Sequence, residues 1–106
     1  LTWNPANSTY FDSTVTIIQP NRMMVGRLDF FAPFSSLDAR GGFIKVGNYS
    51  TLQDHASIAA NPKGLPGTPG VLIGDLVYVG AGAKVRGPAV IGALNETGPP
   101  TRIGAR

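Results

Sequence analysis

The stretch Leu72-Ile73-Gly74-Asp75-Leu76-Val77-Tyr78-Val79-Gly80-Ala81-Gly82-Ala83-Lys84-Val85-Arg86-Gly87 carries an aliphatic residue at every sixth position: Ile73, Val79 and Val85, with Ile91 continuing the count. A glycine follows the aliphatic residue at Gly74, Gly80 and Gly92, and a compact residue stands four places on at Val77, Ala83 and Ala89. A period of six is neither the 3.6 of an amphipathic helix nor the plain alternation of a lone strand. It suits a coil with three flat faces, each a short strand that points one apolar residue inward and ends in a tight corner. Stacking such coils buries one continuous apolar column.

Working toward the N-terminus, the same spacing recurs in Val46, Leu52 and Ile58, and again in Val25, Phe31 and Leu37. Gly47 and Ala59, and Gly26 and Ala32, occupy the following small position; Ser50, Ala56 and Ser35 occupy the fourth. Three hexads make a coil of 18 residues. The first block leads the second by 21 residues (25 to 46), and the extra three fall at Arg40-Gly41-Gly42. The second leads the third by 27 (46 to 73), and the excess falls in Asn61-Pro62-Lys63-Gly64-Leu65-Pro66-Gly67-Thr68-Pro69-Gly70, a loop by its composition. Beyond Ile91 the count reaches Thr97 inside Asn95-Glu96-Thr97-Gly98-Pro99-Pro100, which predicts a protruding loop, and Ile103-Gly104 re-enters the pattern. The sequence therefore predicts an all-β, left-handed parallel β-helix of about three and a half coils over residues 12–106, with loops at 60–71 and 94–101. Residues 1–11, with Trp3, Asn4-Pro5 and Tyr10-Phe11, fall outside the repeat and read as an extended N-terminal arm.

The totals agree with one small, turn-rich domain. Among 106 residues there are 14 Gly and 9 Pro, with 42% hydrophobic and 14% charged residues. The net charge of +3 is spread over scattered Lys and Arg, so nucleic acid is not an expected partner, whereas an acidic partner subunit or an anionic lipid surface fits. No apolar run approaches the 18 or more residues of a membrane span, which predicts at most a peripheral membrane association. Without cysteine there is neither a disulfide framework nor a thiolate metal site. The chain begins at Leu1 rather than Met, so an upstream segment is expected, either processed away or not represented in these residues.

The register of the hexads resembles the γ-class carbonic anhydrase family. Val46-Gly47-Asn48-Tyr49-Ser50-Thr51-Leu52-Gln53-Asp54 is similar to that family's Val-Gly…Gln-Asp motif, and Leu72 to Gly87 is similar to its Ile-Gly-Asp…His…His-Gly stretch. The loop with Lys63-Gly64-Leu65-Pro66 most resembles the mitochondrial members that are subunits of respiratory complex I. The resemblance spans residues of about 12 to 92 and implies trimers, homomeric or heteromeric, with zinc at the subunit interfaces. Three histidines would hold each zinc, two from one subunit and one from its neighbour, leaving a fourth position for water whose pKa the metal lowers.

Carried across position by position, the ligands fall on Ala59, Ala81 and Arg86. Alanine offers no donor, and Arg86 puts a fixed positive charge where a cation would sit. The resemblance thus implies no catalytic residue, no metal and no cofactor in this chain, with Ala59 and Arg86 at one interface and Ala81 at the other. His55 is the sole histidine, on the outward half of its hexad, and reads as a solvated surface residue. Where the family shows Arg-Gly-Asp ahead of the Val-Gly coil, this chain has Asp38-Ala39-Arg40, the charges exchanged. Either these are solvated corner charges that contribute little, or the pair survives with reversed polarity and selects a non-identical neighbour. Gln53 and Asp54 match the family; without a metal to serve, their implied role is structural, at the trimer interface with Asp38, Arg40 and Arg86.

Three function classes follow. The first is a non-catalytic γ-carbonic anhydrase-like structural subunit of mitochondrial complex I, in a heterotrimer with two other such subunits, against the membrane-arm subunits on the matrix side of the inner membrane. The second is an enzyme, either a hexapeptide-repeat acyltransferase or a carbonic anhydrase completed by partner subunits; acyl transfer on this fold uses a His general base, and His55 is the one available. The third is a binding module in a non-respiratory assembly, of the kind found at the pointed end of dynactin. The family's C-terminal helix has no counterpart in these residues, so either the chain continues beyond residue 106 or neighbours cover that flank.

Overall fold

The computed structural model describes residues 9–92 together with the backbone of two short strands at Glu96–Thr97 and Arg102–Ile103. Every strand pairing is parallel, and the strands fall into three sheets that repeat in strict rotation, the arrangement of a parallel β-helix. Face one stacks β1 (Tyr10–Phe11), β4 (Phe30–Phe31), β7 (Thr51–Leu52), β10 (Tyr78–Val79) and β13 (Glu96–Thr97). Face two stacks β2 (Thr16–Ile18), β5 (Ser36–Asp38), β8 (Ser57–Ala59), β11 (Lys84–Arg86) and β14 (Arg102–Ile103). Face three stacks β3 (Met23–Val25), β6 (Phe43–Val46), β9 (Gly70–Ile73) and β12 (Ala89–Ile91).

The inward column is the one the six-residue spacing predicts. Phe31, Leu52 and Val79 line face one; Leu37, Ile58 and Val85 line face two; Val46, Ile73 and Ile91 line face three, all buried. Face three adds a second inward row, Met23, Ile44 and Val71, each with no exposure. Burying one such side chain fully stabilises by about 1.5–3 kcal/mol relative to leaving it in water. The corners take small residues because their Cβ atoms converge inside the triangle. Ser35, Ala56 and Ala83 form one corner column, and Ala39 and Ala60 another.

The glycines after the inward valines are required by close approach. A Cβ on Gly26 would meet the Gly47 carbonyl oxygen at 2.6 Å, and one on Gly47 would meet Asp75 Oδ1 at 2.3 Å. The next residues build a ladder up that corner: Arg27 N–H donates to Asn48 Oδ1 (2.9 Å), and Asn48 N–H donates to Asp75 Oδ1 (2.7 Å). The corner then turns through left-handed backbone at Leu28, Tyr49 and Leu76, with φ of 56°, 60° and 57°. Such a conformation costs a non-glycine residue about 1–2 kcal/mol. It is held because Tyr49 N–H donates to Arg27 O and Leu76 N–H to Asn48 O, each at 2.9 Å.

The structure departs from the sequence expectation at both ends and at the loop. Tyr10–Phe11, expected in the arm, is the first strand of face one: Tyr10 pairs with Phe30 and Phe11 with Phe31, and the Phe11 and Phe31 rings stack at 4.5 Å. The solenoid therefore has four three-strand coils plus two strands of a fifth, rather than about three and a half coils. The first coil was hidden because a 3-10 turn at Pro20–Arg22 lengthens it, so Ile17 and Val25 stand eight apart instead of six. Glu96–Thr97, expected in a protruding loop, pairs with Tyr78–Val79 in face one. Parallel pairing is made by backbone groups, so Thr97 continues the sheet without an aliphatic side chain. The remainder of the 94–101 stretch, like residues 1–8, lies outside the described residues. The long loop is narrower than 60–71: Ala60 is buried in the core, and Gly70 and Val71 belong to β9.

Candidate functional site

The positions singled out in the sequence gather along face two, at its two edges. Outward residues there alternate with the buried row, as a pleated strand requires. One outward row runs Ser36, Ser57, Lys84, and the other runs Asp38, Ala59, Arg86. Ala59 pairs directly with Asp38 on one side and Arg86 on the other. The Arg86 guanidinium donates from Nη1 to Ser57 Oγ at 3.2 Å, one strand away.

Ala81 lies at the opposite edge, exposed, in the corner between β10 and β11. Gln53 and Asp54 occupy the same corner one coil earlier. Gln53 N–H donates to Val79 O, and Gly82 N–H donates to Asp54 O. Between Ala81 and Arg86 lie the turn at Gly82 and the strand β11, so the two positions sit at opposite ends of that strand. Zinc bonds of about 2.0–2.1 Å to nitrogen leave no way for both edges of one chain to meet on a single ion. The three positions could converge only between chains. As they stand, two alanines and an arginine do not fit zinc, and no group of three His, Cys, Asp or Glu among the described residues is placed to hold a metal ion.

Asp38 and Arg40 find each other within the chain. Arg40 Nη2 donates to Asp38 Oδ2 at 2.7 Å and Nε to Asp38 Oδ1 at 3.0 Å, while the Arg40 backbone N–H also donates to Oδ1 at 3.0 Å. These bonds hold the Asp38 carboxyl below the usual carboxylate range and raise the Arg40 guanidinium. The Arg40 side chain is 67% exposed, so the pair contributes little to stability. Both residues line a cleft of about 450 Å³ with Ala59, Asn61, Pro62 and Gly64. Asn61 fixes the loop beside that cleft: its Nδ2 donates to Gly41 O and Leu65 O, and its Oδ1 accepts the Leu65 N–H at 2.8 Å.

His55 is exposed, as its position in the hexad predicts, with left-handed backbone at φ 61° and its ring stacked on Phe34 at 5.2 Å. It is not part of the Ala59–Arg86 edge. One notable group escaped the sequence reading. Asp29 is 2% exposed, in the corner column that continues as Ser50 and Val77. Its Oδ1 accepts the Ser50 N–H at 2.7 Å, its Oδ2 has no partner, and burial pushes its carboxyl up to about 6. The signal was an acid in a column of compact residues, visible only once the column is known to face inward.

No family model matches the chain, and no curated protein matches it. The functional reading therefore rests on face two and its motifs. Among the described residues no helix is long and apolar enough to cross a membrane.

Proposed function

We propose that the chain is a non-catalytic, γ-carbonic anhydrase-like structural subunit, assembled with two related subunits into a heterotrimer of mitochondrial respiratory complex I, on the matrix side of the membrane arm. The observation that carries the proposal is the division of the three ligand-equivalent positions between the two edges of face two. Ala59 and Arg86 lie side by side at one edge and Ala81 at the other. In a trimer that shares each metal between neighbours, this chain silences both of the interfaces it enters.

Face two also has the surface such packing needs. Within its outward rows Ser36, Ser57 and Ala59 are short and only half-exposed, so a neighbouring chain can approach closely there, with Asp38, Lys84 and Arg86 as the charged groups around them. Lys84 and Arg86 have no carboxylate partner among the described residues, which favours an acidic, non-identical neighbour. The core is independent of these positions, so a scaffold persists where the chemistry is lost.

The test is affinity purification of the tagged chain from native mitochondrial membranes, with neighbours identified by mass spectrometry. The expected result is co-purification with two γ-carbonic anhydrase-like chains and complex I membrane-arm subunits, in comparable amounts. A chain that fractionates apart from the respiratory complex would overturn the proposal.

A further inference from the structure

The corner between face three and face one carries a surface that is complementary to itself. Three consecutive rungs stack there, about 4.8 Å apart. The first presents Arg27, Leu28 and Phe30; the second Asn48, Tyr49 and Thr51; the third Asp75, Leu76 and Tyr78. Read along the solenoid axis, the polar column runs positive, neutral, negative, and the strand column runs aromatic, small, aromatic. The corner column, Leu28, Tyr49 and Leu76, is apolar throughout and 47–52% exposed, while Phe30 and Tyr78 are each 40% exposed.

We infer that this corner is the contact of an isologous dimer, with a second copy of this chain as the occupant. A two-fold axis through the Asn48–Tyr49 rung, perpendicular to the solenoid, brings the first rung of one copy onto the third rung of the other. Arg27 then faces the second copy's Asp75, Leu28 faces its Leu76, Phe30 faces its Tyr78, and Tyr49 meets Tyr49. Equal spacing of the rungs lets all three rows register at once. Self-complementarity of this kind is what a closed two-fold contact requires.

The charges are available for it. Arg27 has no carboxylate partner among the described residues, and Asp75 uses one oxygen on the Asn48 N–H and leaves the other open. Aromatic side chains bring about 150–250 Å² each, so the apolar part of the patch is on the order of 500 Å² per chain, at the upper end of what monomers leave exposed. With its polar rim it approaches the roughly 800 Å² per partner of a stable interface. The contact uses a different corner from the Ala59–Arg86 edge of face two and does not rest on the trimer reading.

Sedimentation equilibrium of the 106-residue chain tests it. The wild type is expected to show a concentration-dependent dimer. Arg27→Glu should raise the dissociation constant by about tenfold or more, since the symmetry applies each change twice. Arg27→Glu combined with Asp75→Lys should restore dimerisation, because the reversed pair again matches. Asp75→Lys gives up the bond to the Asn48 N–H, so thermal melting must show the double variant folded. If it is not, Tyr49→Glu decides, since it leaves Asp75 in place and opposes two like charges at the axis; it should abolish the dimer. A monomer at every concentration, or a dimer unmoved by both Arg27→Glu and Tyr49→Glu, would overturn the inference. A trimer indifferent to these changes would do so while leaving the functional proposal standing.

Discussion

Asp29 should make this protein more stable as the pH falls from 7 toward 4.5, against the usual trend for a domain whose carboxylates are paired. Its side chain is 2% exposed, its Oδ2 is unpartnered, and burial raises its carboxyl from 3.8 to about 6; Asp75 opposes the charge further, while the Ser50 and Gly26 amides offset part of the rise. Because the folded pKa lies above the unfolded value, the native state binds the proton more tightly. The stabilisation is full below the unfolded pKa and is lost as pH rises through the folded one. A difference of about two units corresponds to roughly 3 kcal/mol in total, of which about 2 kcal/mol falls between pH 7 and 4.5. Asp12 and Asp38 have lowered values and act in the opposite direction, but their contribution is lost only at more acid pH. Asp29→Asn keeps an acceptor for the Ser50 N–H and removes the titration. Urea denaturation followed by circular dichroism, at one protein concentration and a series of pH values, reads both chains. The wild-type unfolding free energy should rise by about 2 kcal/mol over that interval, and the difference between the two profiles should carry the whole Asp29 effect. A wild-type profile that is flat or falls, or a rise that persists in Asp29→Asn, would refute the reasoning.

Two further outcomes follow from the same geometry. Gly47→Ala drives a Cβ to 2.3 Å from Asp75 Oδ1 and 2.7 Å from the Gly74 carbonyl carbon, so it should lower stability by about 2–3 kcal/mol, read as a shifted urea midpoint. Arg40→Ala, by contrast, removes an exposed ion pair and should change stability by no more than about 1 kcal/mol in the same assay, so a larger loss would show that the pair helps fix the Ala39–Gly42 turn.

The repeat was legible because burial is columnar. Each inward hydrophobic contacts the equivalent residue one coil away, so the sequence must hold Ile58 against Leu37 and Val85, and the period survives insertions that fall at corners. Arg40-Gly41-Gly42 and the 61–69 loop are such insertions, and neither disturbs the register of the strands that follow. The first coil was not legible, since the Pro20–Arg22 turn shifts its phase and its inward residues, Phe11 and Ile17, are only half-buried beneath the end of the stack. Face one at Glu96–Thr97 was not legible either, because a strand at the end of a parallel sheet is recruited by the backbone groups of β10, whatever its side chains. Asp29 was missed for another reason. An acid in a column of compact residues is recognisable as buried only once that column is known to face inward.

The candidate site was legible as positions but not as contacts. Alternation along a strand separates what holds the fold from what the surface can do. Val85 faces the core with no exposure while its neighbour Arg86 faces out. Ile58 and Ala59 divide in the same way. A substitution on the outward row changes the chemistry of face two without touching the packed column, so the loss of a donor there carries little cost in stability. That uncoupling explains how Ala59, Ala81 and Arg86 can occupy positions where the resemblance implies histidines while the coil around them keeps its register. The same logic limits what such a surface can do. An outward row has only neighbouring rungs to act with, so new function on this surface must come from residues stacked one coil apart, as Arg86 is on Ser57, or from another chain laid against the face.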